Sequence, residues 1–291
     1  MLSSPAVLVQ NQPPPPAPTP AGPPPLEALS PFERGAVRAM DALYRRARPL
    51  TEAWLRNVSE QWMHLGSYNM VHTVGTERLA GLTRNDRILL VANHRSFFDT
   101  YMLTLYMGRR AGLNQPVLAP VRGDFFYERP LGVAVNLLVG GGRMFPPFFR
   151  DPHKGDFNKW ALARLADELR EGPPVVVGFH PEGRRNKGPD PYTPLPAHPG
   201  VGKLVMESWP IVVPAFINGM SSDFAADIRS NFTGERRCIA VFGAPIDLTP
   251  FRRMSNRLVS HKRIADRLLA IIFDLAREER EVRASLGNPR Y

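Results

Sequence analysis

Ile88-Leu89-Leu90-Val91-Ala92 runs straight into Asn93-His94-Arg95-Ser96-Phe97-Phe98-Asp99, and a second apolar run follows from Phe97 to Met107. Five consecutive aliphatic residues ahead of a polar turn read as a strand buried on both faces. The polar cluster then lies just past the strand's carboxyl end, where open α/β sheets place their ligand sites. In a regular helix, residues five apart diverge by about 140°. His94 can therefore meet Asp99 only from the entering turn, with Asp99 in the first helical turn. Helix amides there favour an ionised carboxylate. Such a carboxylate can hold one ring nitrogen of His94 and leave the other as a base. A helix-start histidine beside a capping aspartate is spelled the same way, so this segment alone leaves both readings open.

A second stretch has the same build. Val175-Val176-Val177-Gly178-Phe179 reads as another buried strand, followed by His180-Pro181-Glu182-Gly183-Arg184-Arg185-Asn186-Lys187. A glycine lets backbone approach a ligand closely, and guanidinium forks match phosphate oxygens. A charged surface turn would show the same composition.

Working outward, β-rich runs fall at 71–76, 88–92, 117–121, 175–179, 211–217 and 238–243. Helical segments near 98–111, 157–171 and 199–208 alternate with them, and a long amphipathic helix spans 256–285. This alternation predicts an α/β sheet with helices on its faces. Ahead of it, residues 31–66 predict two amphipathic helices. Phe32, Ala36, Val37, Met40, Leu43, Tyr44 and Ala47 form one apolar stripe, with Arg34, Arg38, Arg45 and Arg46 opposite. The second helix carries Trp54, Leu55, Val58, Trp62 and Met63. A basic, aromatic-bearing pair suits a lipid interface, and it equally suits a hairpin packed on the core.

Ten of the 31 prolines precede residue 26, in a stretch without charge before Glu27. Residues 1–30 therefore read as a disordered tail of polyproline character, leaving 67–291 as the α/β domain. The one cysteine, Cys238, forms no intrachain disulfide, which suits a reducing compartment. A net charge of +10 suits nucleic acid, anionic lipid or a phosphorylated substrate without choosing among them. No window reaches the ~18 apolar residues of a spanning helix. The expectation is a peripheral protein at the cytoplasmic face of a membrane.

The ordered motifs resemble the glycerolipid acyltransferase superfamily, especially 1-acylglycerol-3-phosphate acyltransferases. Asn93, His94 and Asp99 match its first motif. Phe179 to Arg185 match its Phe-Pro-Glu-Gly-Thr-Arg motif in modified form, and Pro210-Ile211-Val212-Val213-Pro214 match the apolar strand ending in proline. Val74-Gly75-Thr76-Glu77 also sits where the family has a strand-turn opening. The resemblance spans about residues 68–250 and implies a mixed sheet flanked by helices. It departs at several places. Arg184 stands at the threonine position, His180 interrupts the Phe-Pro pair, and Gly142 to Arg150 is longer than the family's second motif.

What the resemblance implies is direct acyl transfer, with His94 as base and Asp99 behind it. The donor would be acyl-coenzyme A or acyl carrier protein, used as substrate, with no cofactor and no metal. A lysophospholipid-type acceptor would be held at its phosphate by Arg150, or by Arg143 in its stead, and by Glu182, Gly183 and Arg185, with Pro214 shaping the site. An anionic membrane surface would be the partner. The apolar residues 131–139 could house the acyl chain.

Three rival readings are weaker. Ser96 suggests a serine hydrolase, but no Gly-x-Ser-x-Gly elbow occurs. The basic residues are scattered and match no nucleic-acid-binding motif, so no nucleic-acid partner is expected. An inactive lipid-binding protein would have no need of both His94 and Asp99. Neither His-Glu-x-x-His nor Cys-x-x-Cys occurs as a metal motif.

Overall fold

Central strands of a parallel sheet are sealed on both faces, and that burial explains the aliphatic runs. In the computed structural model, which describes residues 20–287, Ile88 to Ala92 and Val175 to Val177 are each at most 2% exposed. The strands are β1 (Val71–Val74), β2 (Arg87–Ala92), β3 (Val117–Leu118), β4 (Val121–Arg122), β5 (Pro147–Phe148), β6 (Val175–Phe179), β7 (Ile211–Asn218) and β8 (Cys238–Phe242). Six form one sheet in the order β1-β8-β7-β2-β6-β3, while β4 and β5 pair separately. β7, β2, β6 and β3 run parallel; β8 is antiparallel to β7 and parallel to β1. The sheet is mixed, as the family resemblance implies.

The helices are α1 (Pro31–Arg46), α2 (Arg48–Trp54), α3 (Glu60–Leu65), α4 (Asp99–Ala111), α5 (Gly123–Phe126), α6 (Pro130–Gly140), α7 (Gly155–Arg170), α8 (Gly200–Ser208), α9 (Phe224–Thr233) and α10 (Leu258–Ser285). A π-helical turn, Leu55–Ser59, joins α2 to α3. Right-handed crossovers leading away from β2 and back towards it place α4 on one face and α7 and α8 on the other. α10 packs on α8, β7 and β8. Its buried Ile264, Ala265, Leu268, Leu269, Ile272 and Ala276 follow the helical period. No helix among the described residues is long and apolar enough to cross a membrane.

The N-terminal helices use their apolar stripe on the body of the protein. Ser30 and Glu33 form a capping box that starts α1, whose Ala36, Val37, Met40 and Tyr44 are buried. Tyr44 donates a 2.6 Å hydrogen bond to Glu168 of α7, and Lys154 pairs with Glu33 at 2.5 Å. Arg38, Arg45 and Arg46 remain exposed.

Most of the stretch read as a disordered tail, 1–30, lies outside the described residues. Its last eleven residues are not free: the Ala21 amide donates to Asp167, the Gly22 carbonyl accepts from Trp160, and Leu29 is 2% exposed. Two specific hydrogen bonds tie the segment to α7 and one leucine joins the core, which composition could not show.

The apolar stretch 131–139 also departs from expectation. It is helix α6, and its buried positions are Gly132, Asn136 and Gly140, while Leu131 and Leu138 are 67% and 60% exposed. Gly132 faces the Phe125 carbonyl so closely that a Cβ would sit 1.8 Å from it. The Asn136 side chain accepts from the Met144 amide and donates to the Met144 carbonyl. α6 is thus inverted, with small and polar residues inside and leucines outside. Sequence reasoning also missed α9.

Candidate active site

The register of two neighbouring strands brings the chemistry together. β2 and β6 pair with Val91 opposite Phe179, so the turns that leave them emerge side by side. Asn93 ties the first turn to β7 through a two-way bond, accepting from the Ile217 amide and donating to its carbonyl, both at 2.8 Å. Asn186 donates its amide to the His94 carbonyl at 2.6 Å.

His94 lies in the entering turn and Asp99 is the first residue of α4, as the five-residue spacing required. Asp99 Oδ2 lies 3.1 Å from His94 Nδ1. The same oxygen accepts the amides of Arg95 at 2.6 Å and Ser96 at 2.7 Å. A carboxylate oxygen that takes three contacts acts as acceptor, so Nδ1 carries the proton and Nε2 keeps its lone pair. The amides that hold Asp99 belong to the turn, not to the helix as expected from sequence. They do not overcome its desolvation: burial pushes the carboxyl up to about 6. Asp99 Oδ1 has no partner among the described residues. Burial, helped by the nearby Arg185, lowers His94 to about 3, so the imidazole is neutral at physiological pH. Its side chain is 20% exposed, which leaves a route to Nε2.

Ser96 is fully buried. Its hydroxyl donates to the Ser221 carbonyl and accepts the Phe98 amide. It supports the turn and is no candidate nucleophile, which removes the hydrolase reading.

The second turn differs from expectation at Glu182. Its carboxylate is 1% exposed and both oxygens are committed, Oε2 to the His94 amide at 2.9 Å and Oε1 to the Leu195 amide at 2.8 Å. It fixes backbone and offers no surface to an acceptor phosphate, which it would in any case repel. Gly183 is exposed at φ +64°, and a Cβ there would come within 2.8 Å of the His198 ring. Only glycine suits this left-handed close approach. Beside it, Arg184 is exposed and Arg185 donates to Ser222 at 2.8 Å.

Of the two arginines in the irregular second motif, Arg143 is 1% exposed, pairs with Glu52 at 3.0 Å and lies over the Tyr44 ring. It is a structural cation. Arg150 is exposed just past β5. Pro214 is buried within β7 opposite Val91, so it belongs to the sheet and not to a substrate-facing surface.

His180, met in the sequence only as an interruption, is the neighbour of His94 that sequence reasoning missed. Its ring stacks on His94 with centroids 3.9 Å apart and planes 9° apart. Its position one residue past β6, level with Ala92, was the available signal. No cluster of three or more His, Cys, Asp or Glu suited to a metal occurs among the described residues.

A buried carboxylate behind a neutral histidine with an open Nε2, at the carboxyl ends of three parallel strands, is an arrangement able to accept a proton from a hydroxyl. The acyltransferase family model matches residues 71–218, just over half of the chain, and the chain belongs to that family. Among solved structures it is similar to the crystal structure of the 1-acyl-sn-glycerophosphate (LPA) acyltransferase PlsC from Thermotoga maritima. The identity is 15% and the TM-score 0.49, covering 84% of this chain and 89% of that one. No curated protein matches the sequence.

Proposed function

We propose that this acyltransferase moves a fatty acyl group from a thioester to a glycerolipid hydroxyl, with 1-acylglycerol-3-phosphate as acceptor and phosphatidate as product. The observation that carries the reading is the 3.1 Å contact of His94 Nδ1 with Asp99, which directs Nε2 outward. Nε2 takes the acceptor's hydroxyl proton as the oxygen attacks the thioester carbonyl. The imidazolium that forms is balanced by Asp99. The tetrahedral intermediate then expels the thiolate, which receives the proton from His94. Acyl-coenzyme A or acyl carrier protein supplies the thioester. Arg150, Arg185 and the Gly183 backbone bind the acceptor phosphate.

The reaction is placed at the surface of an anionic membrane on the cytoplasmic side. Support comes from the inverted helix α6 with Leu131 and Leu138 outward, and from Leu50 and Trp54 beside it, 69% and 39% exposed. Trp54 donates its indole N–H to the Leu138 carbonyl, so these two residues lie side by side at the surface. Exposed leucine and tryptophan next to arginine are the makings of an interfacial surface. Aromatic contacts run from this region towards the histidine: Phe125 meets Phe126, and Phe126 stacks on Phe97, three residues past His94. The acyl chain lies along this path.

The test is a mass-spectrometric screen of the purified protein. Mixed acyl thioesters are offered with 1-acylglycerol-3-phosphate, glycerol 3-phosphate, an aminoacyl lipid and a glycolipid. Acylation of the first supports the proposal. Acylation of another alone reassigns the acceptor, and none at all favours a lipid-binding protein on an inactive acyltransferase fold.

A further inference from the structure

We infer that His180 is a positioning residue for acyl transfer: its neutral imidazole, locked by Ala92 and Thr100, forms the face on which the catalytic imidazole of His94 is clamped and screened from water. The inference rests on the general-base reading of His94 given above.

The lock follows from the hydrogen bonds. His180 Nδ1 lies 3.1 Å from the Ala92 carbonyl, which only accepts, so that nitrogen carries the proton. Nε2 then keeps a lone pair and accepts from the Thr100 hydroxyl at 2.9 Å. Thr100 can reach it because position 178 is glycine; a Cβ there would stand 2.3 Å from Thr100 Cγ2. With both nitrogens engaged, His180 is neither a free base nor a free acid. Burial and the neighbouring His94 hold its pKa near 3, so it stays uncharged.

A stack at 3.9 Å and 9° restricts the rotation of His94 that its single contact to Asp99 leaves open. It also covers one face of the ring from water. A charged His180 would repel the imidazolium that forms when His94 takes the hydroxyl proton, which is why the fixed tautomer matters. The other charged groups about His94 are Asp99 at Nδ1, Arg185 across the turn and Glu182 at its backbone amide.

The test compares His180→Ala, which removes the ring, with His180→Phe, which keeps a stacking face and drops both hydrogen bonds. Each is followed by steady-state kinetics and by NMR titration of the 15N-labelled His94 imidazole. The expected result for His180→Ala is a kcat lower by roughly 3- to 30-fold through looser placement of His94, with both KM values little changed. In the same variant His94 should titrate nearer the ordinary histidine range, because water reaches the uncovered face. His180→Phe should recover much of both. Unchanged kcat and an unmoved His94 titration in His180→Ala would overturn the inference. So would a loss of kcat while the His94 titration stays as in the wild type, since His180 would then serve only the fold. The titration needs no turnover, so it decides the role of His180 even if every acceptor in the screen fails.

Discussion

Glu182 accepts the backbone amide of His94 at 2.9 Å, and through its other oxygen it accepts that of Leu195 at 2.8 Å. One buried carboxylate therefore ties the base-bearing turn to the loop that follows the Phe179–Arg185 segment. In Glu182→Gln the amide nitrogen must face one of these donors, leaving a buried N–H unpaired at a cost of about 1–3 kcal/mol. The expected outcome is a lower unfolding midpoint and a kcat reduced by roughly tenfold or more through misplacement of His94. Affinity for a phosphorylated acceptor, measured as binding, should change little. A selective loss of acceptor binding with normal kcat would return Glu182 to the role its motif first suggested.

His94→Ala removes the group that takes the proton, and acyl transfer should fall by roughly 10²–10⁴-fold if general-base catalysis is the main loss. The fold should be kept, since the His94 side chain hydrogen-bonds only Asp99 among the described residues. Circular dichroism and turnover on the same sample check both halves.

The pH dependence has two opposite signs at Asp99. Catalysis needs the carboxylate, so kcat should rise as pH passes upward through about 6, the value to which burial pushes this group. His94, lowered to about 3, does not limit the rate above that point. Stability runs the other way. A carboxyl whose pKa is raised on folding favours the folded state below its unfolded value, and that contribution is lost as pH rises through about 6. Asp99→Asn should therefore be nearly inactive, yet it should lack a stability loss on the order of 2–3 kcal/mol between pH 4 and pH 8. Denaturant titrations at the two pH values, with the wild type alongside, measure this.

Arg143 and Arg150 should separate cleanly. Arg143→Ala breaks a buried ion pair with Glu52 and should cost about 3 kcal/mol of stability. Arg150→Ala should leave the unfolding midpoint alone and raise KM for a phosphorylated acceptor by roughly tenfold or more, with the donor KM unchanged. Unchanged acceptor kinetics in Arg150→Ala would remove that residue from the binding site.

Liposome sedimentation tests the membrane surface. The protein should bind anionic vesicles at low salt and be released as salt rises, each basic residue near the surface contributing about 1 kcal/mol. Replacing Arg34, Arg38, Arg45 and Arg46 with glutamine should weaken binding. Leu131→Glu with Leu138→Glu should weaken it further, while turnover of a short-chain soluble acceptor is kept. Full binding by the leucine variant would mean that α6 faces something other than lipid.

The sequence by itself determined the six strands of the main sheet, the main helices and the meeting of His94 with Asp99. Aliphatic runs such as Ile88 to Ala92 admit few fates in a chain of this length, and periodicity placed α4, α7, α8 and α10 to within a few residues. The five-residue gap from His94 to Asp99 dictated a turn followed by a helix, because contact across a continuous helix is geometrically barred. Other features depended on elements far apart in the chain. Whether Glu182 faces ligand or backbone was decided by where residues 94 and 195 come to rest around it. Arg143 and Arg150 look alike in sequence, and only the packing of α1 and α2 buries the first. Which side of α6 its leucines occupy was decided when Gly132, Asn136 and Gly140 took the inner face. His180 acquired its role from the β2–β6 register, a pairing of residues nearly ninety positions apart. Local spacing fixes local geometry, but burial and partnership are set by long-range contacts, and those decided the chemistry of each polar side chain.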